Sequence, residues 1–87
     1  MCGQSHVLIN CVGPYRFYGE AVVKACVSQR THYVDVTGEP EFIERMIVAH
    51  YDAALHAGVL VVPACGFDCI PAELGTLYTM QEFAKQV

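Results

Sequence analysis

The chain has 87 residues, of which 54% are hydrophobic and 16% are charged, so it is too short for a two-domain enzyme and too apolar for a disordered segment. Nine acidic and five basic residues give a formal charge of −4. The basic residues form no run that could neutralise a phosphate backbone, so nucleic acid is not an expected partner. No stretch reaches the roughly 18 apolar residues that a membrane-spanning helix needs.

Three short apolar runs predict strands at residues 7–12, 33–36 and 59–62. The first and third are almost continuously apolar, which is typical of strands buried on both faces of a parallel sheet. The stretches between them repeat their apolar residues with a helical period.

Three helices are predicted from these repeats. The first has an apolar stripe after Gly19 that runs from Val22 to Val27. The second begins near Pro40, which suits a first helical turn, and ends at Gly58, which suits the left-handed position after a helix. The third opens at Pro71 and continues to the C-terminus.

The predicted fold class is α/β, with three βα units of a doubly wound, Rossmann-like parallel sheet. This sheet is incomplete, because the first strand would be central yet has no preceding partner in the chain, and its apolar edge would be unpaired. We therefore expect a fragment or a truncated isoform, with homo-oligomer formation through the exposed strand as one way to cover that edge.

Ligands of open parallel sheets bind beyond the carboxyl ends of the strands. From the last residues of the first strand onward, residues 10–19 contain two glycines, three aromatic rings and Arg16. Arg16 could bind a phosphate or carboxylate, and Tyr15 or Phe17 could stack on a flat ring. The alternative is a tight Gly-Pro turn covered by aromatic packing.

The second strand is followed by Asp35-Val36-Thr37-Gly38-Glu39. The Asp35 carboxylate could point into the crevice and bind a ribose hydroxyl or an ammonium group. Alternatively, Thr37 and Glu39 only cap the following helix, where the helix dipole favours negative charge. For Glu39 we favour this capping role, whereas for Asp35 both interpretations stay open.

The third strand is followed by Cys65-Gly66-Phe67-Asp68-Cys69. Cys69 could be a nucleophile at a helix N-terminus, but the two cysteines lack the further ligands of a metal site, so no metal is expected. Asp68 is interpreted as a helix N-cap. The four histidines have no ligand spacing, and His50 is expected to be packed and hydrogen-bonded. An odd number of cysteines without a framework spacing indicates a reducing, intracellular compartment.

Taken together, residues 7–20, 35–42 and 65–75 resemble the saccharopine dehydrogenase-like oxidoreductases, and the likeness covers nearly the whole chain. The resemblance implies that residues 1–87 are the C-terminal half of a Rossmann-type NAD(P)-binding domain whose first half, with the glycine fingerprint, is absent. It also implies a lipid-droplet or membrane-associated location, with mitochondria as another option.

The resemblance assigns two groups of residues. Those expected on the nicotinamide side of the cofactor are Asn10, Val12, Gly13, Pro14 and Tyr15. Those expected to border the substrate crevice are Asp35, Gly38, Glu39, Gly66 and Asp68.

Two functions follow from these expectations. In the full-length parent, the chain would take part in hydride transfer between NAD(P) and an unidentified small-molecule or lipid-linked substrate. Alternatively, it is a Rossmann-like scaffold or interaction module without turnover.

Overall fold

A computed structural model describes residues 2–86 of the chain. Strands and helices alternate after a short 3-10 turn at Cys2–Gln4. The elements are β1 (Val7–Asn10), α1 (Tyr15–Ser28), β2 (His32–Asp35), α2 (Pro40–Ala57), β3 (Val61–Val62) and α3 (Ile70–Gln86). The predicted fold class is confirmed: this is an incomplete, all-parallel α/β sheet with strand order β1-β2-β3.

The core lies on one face of the sheet, beneath α1 and α2. In β2, the central strand, Tyr33 pairs with Leu8 of β1 and with Val61 of β3. Both helices pack on this face because their buried side chains belong to the same apolar cluster. That cluster consists of Leu8, Tyr15, Val23, Cys26, Tyr33, Phe42 and Met46.

The opposite face of β1 is open to solvent. Leu8 and Asn10 are buried, whereas Val7 and Ile9 are 51% and 69% exposed. The expectation that this strand is buried on both faces is therefore wrong for the described residues, because nothing within residues 2–86 covers the second face. The expected unpaired edge is confirmed, since β1 pairs only with β2 in the described chain.

Helix α1 starts earlier than the apolar stripe predicts. It begins at Tyr15, directly after Pro14, whose carbonyl accepts hydrogen bonds from the N–H groups of Phe17 and Tyr18. Gly19 therefore lies inside α1 and not ahead of the helix, where the apolar stripe would place it. It is buried in the crossing with α2, where the ring of Phe42 lies against it.

Helix α2 confirms both of its predicted ends. Pro40 is the first helical residue, and Gly58 follows the helix with a left-handed backbone (φ 71°). The N–H of Gly58 donates to the carbonyl of Leu55, which satisfies a carbonyl that would otherwise lack a partner. Strand β3 is shorter than predicted, since only Val61 and Val62 pair with β2.

Helix α3 begins at Ile70, one residue before the predicted start at Pro71. The carbonyl of Cys69 accepts the first helical hydrogen bond, from the N–H of Glu73, so Cys69 occupies the N-cap position. The interpretation of Asp68 as the N-cap is therefore wrong. No α3 residue is buried. Within residues 2–86, no helix combines the length and apolar character needed to cross a bilayer.

Candidate functional site

The loops after the three strands meet at the carboxyl edge of the sheet. The N–H of Cys65, after β3, donates to the carbonyl of Asp35 at 2.8 Å. The N–H of Ala64 donates to the Asp35 carboxylate at 2.9 Å. On the other side of β2, Asn10 pairs with Asp35 in the strand register. The three sequence clusters predicted to carry chemistry are thus neighbours in the fold.

The turn after β1 is held by the side chain of Asn10. Its Oδ1 accepts a hydrogen bond from the N–H of Val12 at 3.1 Å, which ends the strand two residues before its predicted end. Val12, Gly13 and Pro14 are exposed, and the Gly13–Pro14 peptide bond is cis. Apart from its chain neighbours, a Cβ at Gly13 would have only a ring carbon of Tyr15 within 4 Å, at 3.9 Å, so this turn has free space at the Cβ position.

Tyr15 lies beneath this turn and supports it. Its ring packs on Phe42 with the ring centroids 5.4 Å apart, and its hydroxyl donates to the carbonyl of Asn10 at 2.7 Å. Burial raises the pKa of the Tyr15 phenol, so the hydroxyl stays protonated as a donor. Because the ring is buried, aromatic packing under the turn describes Tyr15 better than stacking on a ligand. The ring of Phe17, by contrast, is exposed.

The Asp35 carboxylate is fully buried and accepts three hydrogen bonds. Its Oδ1 binds the N–H groups of Thr37 at 3.1 Å and Ala64 at 2.9 Å, and its Oδ2 binds the hydroxyl of Tyr33 at 2.6 Å. The carboxylate therefore joins β2 to the loops after β2 and β3. Of the two interpretations left open by the sequence, the structure favours this structural role over direct contact with a hydroxyl or ammonium group.

Tyr33 is a central residue that the sequence clusters do not include. Its ring lies in the core, and its hydroxyl both donates to Asp35 and accepts from Nδ2 of Asn10 at 3.1 Å. Burial, followed by the hydrogen bond to Asp35, raises the pKa of Tyr33 well above its usual value. One signal was available: Tyr33 and Asp35 are two residues apart on a strand, so they share a face.

Glu39 caps a different helix from the one expected. Its Oε2 accepts a hydrogen bond from the N–H of Tyr15 at 2.7 Å, and its Oε1 accepts one from the N–H of Arg16 at 3.1 Å. These donors belong to the first turn of α1, whereas the side chain makes no capping bond to α2. The capping role predicted for Glu39 is thus wrong in its target, because a residue 24 positions later in the chain satisfies the start of α1. The Thr37 hydroxyl accepts a hydrogen bond from the N–H of Glu39 at 3.1 Å, just ahead of α2.

We expect Glu39→Ala to lower the free energy of unfolding by about 1 to 2 kcal/mol, because two N–H groups lose a charged acceptor. Glu39→Gln keeps one acceptor oxygen and should lose less than half as much. Urea unfolding followed by tyrosine fluorescence measures both. Equal stability of Glu39→Ala and the wild type would contradict the capping role.

The remaining candidate residues lie around the same edge and differ in their exposure and in the space around them. Gly38 is exposed, and no atom lies within 4 Å of the position that a Cβ would take. Gly66 packs closely on Val36, whose Cβ would be 3.0 Å from a Cβ at Gly66. Asp68 is exposed beside Phe67.

A shallow cleft of about 540 Å³ lies between the start of α1 and the start of α2. Arg16 and Phe17 line one side, and Gly38, Glu39 and Arg45 line the other. Arg45 is held by Glu20 at 3.6 Å and by Glu41 at 3.3 Å. Arg16 forms no ion pair within the described chain, and its guanidinium lies 4.7 Å from the centroid of the Phe17 ring. Arg16 is thus the guanidinium of this cleft that an anion could reach.

The cysteines and histidines form no metal site in residues 2–86, where no three His, Cys, Asp or Glu side chains come together. The thiol of Cys65 donates to the carbonyl of Val62 at 3.4 Å, and that of Cys69 donates to the carbonyl of Thr37 at 3.9 Å. His50 is largely buried and lies 3.3 Å from Glu20, which confirms its predicted packing and hydrogen bonding.

Comparison with known proteins places these features in a family. The family model described as the saccharopine dehydrogenase NADP binding domain matches residues 1–83. A protein of Arabidopsis thaliana named "Probable mitochondrial saccharopine dehydrogenase-like oxidoreductase" is 48% identical over 98% of this chain. The saccharopine dehydrogenase-like oxidoreductase of Mus musculus is 49% identical over 94% of the chain, and the lipid droplet localized protein of Caenorhabditis elegans is 51% identical over 95%.

The chain spans about a fifth of the length of these curated relatives, namely 19%, 19% and 20%. No solved structure matches it significantly. The family match covers nearly the whole chain and agrees with the alternating strands and helices of the parallel sheet. The chain therefore belongs to the saccharopine dehydrogenase NADP-binding domain family.

Proposed function

We propose that the chain is the C-terminal half of a Rossmann-type NAD(P)-binding domain in a larger oxidoreductase. The unpaired edge of β1 supports this proposal, because preceding strands of a longer sheet would pair with it. The exposed face of Val7 and Ile9 would then be covered by other parts of the parent. The glycine fingerprint that holds the pyrophosphate is not present in these 87 residues, so that task belongs to the first half.

The turn at residues 11–14 fits the approach of a flat nicotinamide ring. The observation that carries the proposal is the free space beside Gly13, at the carboxyl end of a parallel strand. A backbone without a side chain lets a ring come close, and neighbouring Val12 supplies an exposed apolar surface. These features match the usual location of ligands in open α/β sheets.

In this proposal, the bound nicotinamide supplies the hydride chemistry, and the protein orients it. The residues assigned to the cofactor side are Asn10, Val12, Gly13, Pro14 and Tyr15. Val12, Gly13 and Pro14 face the ring, while Asn10 and Tyr15 act from below by fixing the turn. Positioning of this kind lowers the barrier because the reacting atoms are already aligned.

The substrate crevice is assigned to the loops after β2 and β3, at Asp35, Gly38, Glu39, Gly66 and Asp68. Gly38 and Asp68 are exposed and would face the substrate, whereas the buried Asp35 would hold the loops in place. The substrate class is a small or lipid-linked molecule. Arg16, reachable from the neighbouring cleft, would bind a carboxylate or phosphate of that molecule.

We expect Gly13→Val to weaken NADPH binding by the full-length protein about ten-fold or more, because the new side chain fills the space beside the turn. The fold should tolerate the substitution, since the nearest atom to the added Cβ is 3.9 Å away. Quenching of NADPH fluorescence measures the affinity. Gly75→Val, the same change on the exposed surface of α3, is the matched control and should leave the affinity unchanged. The absence of saturable binding by the wild type at micromolar NADPH would refute the proposal.

A second candidate function is a Rossmann-like scaffold without turnover. The hydrogen bonds of three polar side chains favour it for the 87-residue chain alone, because Asn10, Asp35 and Glu39 already bind other groups of the protein. Such a scaffold could form a homo-oligomer by pairing the β1 edges of two copies. Light scattering distinguishes the two cases: a dimer that Ile9→Lys disrupts supports the scaffold, and a stable monomer opposes it.

The names of two relatives suggest where the parent protein acts. One relative is named as mitochondrial and another as localized to lipid droplets. We propose a reducing, intracellular location at one of these two sites for the parent protein. Fluorescence microscopy of the tagged full-length protein, with markers for both compartments, tests this placement.

A further inference from the structure

A continuous chain of hydrogen bonds crosses the carboxyl edge of the sheet. Nδ2 of Asn10 lies 3.1 Å from the Tyr33 hydroxyl, and that hydroxyl lies 2.6 Å from the Asp35 carboxylate. At one end, Oδ1 of Asn10 holds the N–H of Val12. At the other end, the carboxylate holds the N–H groups of Thr37 and Ala64. The proposed cofactor turn and both crevice loops are therefore linked through one phenol.

The direction of each bond in this chain follows from Asp35. The Asp35 carboxylate accepts from the N–H groups of Thr37 and Ala64 and from the Tyr33 hydroxyl, so the single proton of that hydroxyl points toward it. The hydroxyl then has only a lone pair to offer to Asn10, which must present its NH₂ group. The amide oxygen of Asn10 is consequently turned toward the N–H of Val12. The Asp35 carboxylate on the adjacent strand and the N–H of Val12 thus require the same orientation of the Asn10 amide.

We propose that Tyr33 is a positioning residue, whose hydroxyl transmits the acceptor polarity of Asp35 to Asn10 and thereby holds residues 11–14 in the shape that receives the nicotinamide. This role rests on the proposed function and extends it to a residue that does not touch the cofactor. Tyr33 is 1% exposed, so no ligand reaches its ring. Its hydroxyl has both of its partners inside the protein.

The first test follows the turn itself by amide hydrogen exchange of the 87-residue chain. In Tyr33→Phe, the Asn10 amide loses the partner of its Nδ2 and is held only by the N–H of Val12, so we expect that N–H to exchange about ten-fold faster. The N–H of Met46, inside α2, is the reference for global stability, and its exchange rate should change much less than that of Val12. Tyr51→Phe removes an exposed hydroxyl and should change neither. A uniform change at both amides, or no change at Val12, overturns the positioning role.

A second variant keeps the phenol and changes only the polarity. Asp35→Asn can donate to the Tyr33 oxygen, which would turn the phenol proton toward Asn10 and rotate its amide. The NH₂ of Asn10 would then face the N–H of Val12, so exchange at Val12 should again rise about ten-fold relative to Met46. Unchanged protection of Val12 would show that the polarity of Asp35 does not reach the turn. This variant also decides the question if Tyr33→Phe fails to fold.

The functional arm uses the full-length protein and NADPH. We expect Tyr33→Phe to weaken NADPH binding about ten-fold. The control Tyr51→Phe should keep both the melting temperature and the NADPH affinity of the wild type. Equal affinity of Tyr33→Phe and wild type overturns the positioning role. If the wild type itself does not bind NADPH, the proposed function fails, and the exchange at Val12 still decides whether Tyr33 holds the turn.

Discussion

Gly19→Ala should destabilise the fold by about 2 kcal/mol, although alanine is the better helix former by about 1 kcal/mol. A Cβ at this position would lie 2.5 Å from the ring of Phe42 and 3.2 Å from the Cβ of Tyr15. Phe42 is fully buried, so its ring cannot turn out to solvent. The helices α1 and α2 would have to separate, and the packing of Tyr15 under the cofactor turn would loosen with them. Urea unfolding followed by tyrosine fluorescence measures the loss.

The matched control is Gly75→Ala, which changes a glycine inside α3 with no atom within 4 Å of the added Cβ. It should leave stability unchanged or raise it by up to about 1 kcal/mol. Combining Gly19→Ala with Phe42→Leu should cost less than the sum of the two single changes, because the smaller side chain makes room. Additive effects in this cycle would show that the two residues do not press on each other.

The elements that the sequence predicts well are those defined by neighbours along the chain. Pro40 and Gly58 delimit α2 because each has a backbone preference of its own. The alternation of strands and helices is likewise visible as a change of hydrophobic period. The convergence of the three loops follows from the rule that parallel strands have their carboxyl ends at the same edge.

The features that the sequence does not predict depend on residues far apart in the chain. Glu39 caps α1 across 24 positions, and no local pattern relates it to Tyr15. Gly19 looks like a turn residue until Phe42 is known to cross it. The exposure of Ile9 depends on which layers cover the sheet, and a run of apolar residues does not show whether both faces of the strand are covered. Tertiary contacts overrule local propensity at Glu39 and Gly19, whereas Ile9 is exposed because no layer within the described residues covers it.

In the candidate site, the sequence predicts where polar residues lie but not which groups they bind. Sequence reasoning identifies Asn10 and Asp35 as polar residues at strand ends, and both are there. It cannot tell whether such side chains face a ligand or each other. In the structure, Tyr33 lies between them and joins them. A buried polar group needs partners, so once the ring of Tyr33 occupies the core, these two side chains turn inward to satisfy its hydroxyl.

Asp35→Ala should lower the free energy of unfolding by about 3 kcal/mol or more, because the Tyr33 hydroxyl and the N–H groups of Thr37 and Ala64 all lose their acceptor. Tyr33 is buried, and water cannot replace the carboxylate there without opening the edge. The total free energy of unfolding of a chain of this length is roughly 4 to 13 kcal/mol, so the expected loss is a large share of it. Urea unfolding measures it.

Asp52→Ala, on the exposed face of α2, removes the same charge without burial and should change stability by less than about 0.5 kcal/mol. The contrast separates the buried network from the general effect of reducing the negative charge. A loss below about 1 kcal/mol for Asp35→Ala would mean that the three donors find other partners. The carboxylate would then not hold the strand ends together, and the loops of the proposed crevice would owe their positions to backbone contacts such as that between Cys65 and Asp35.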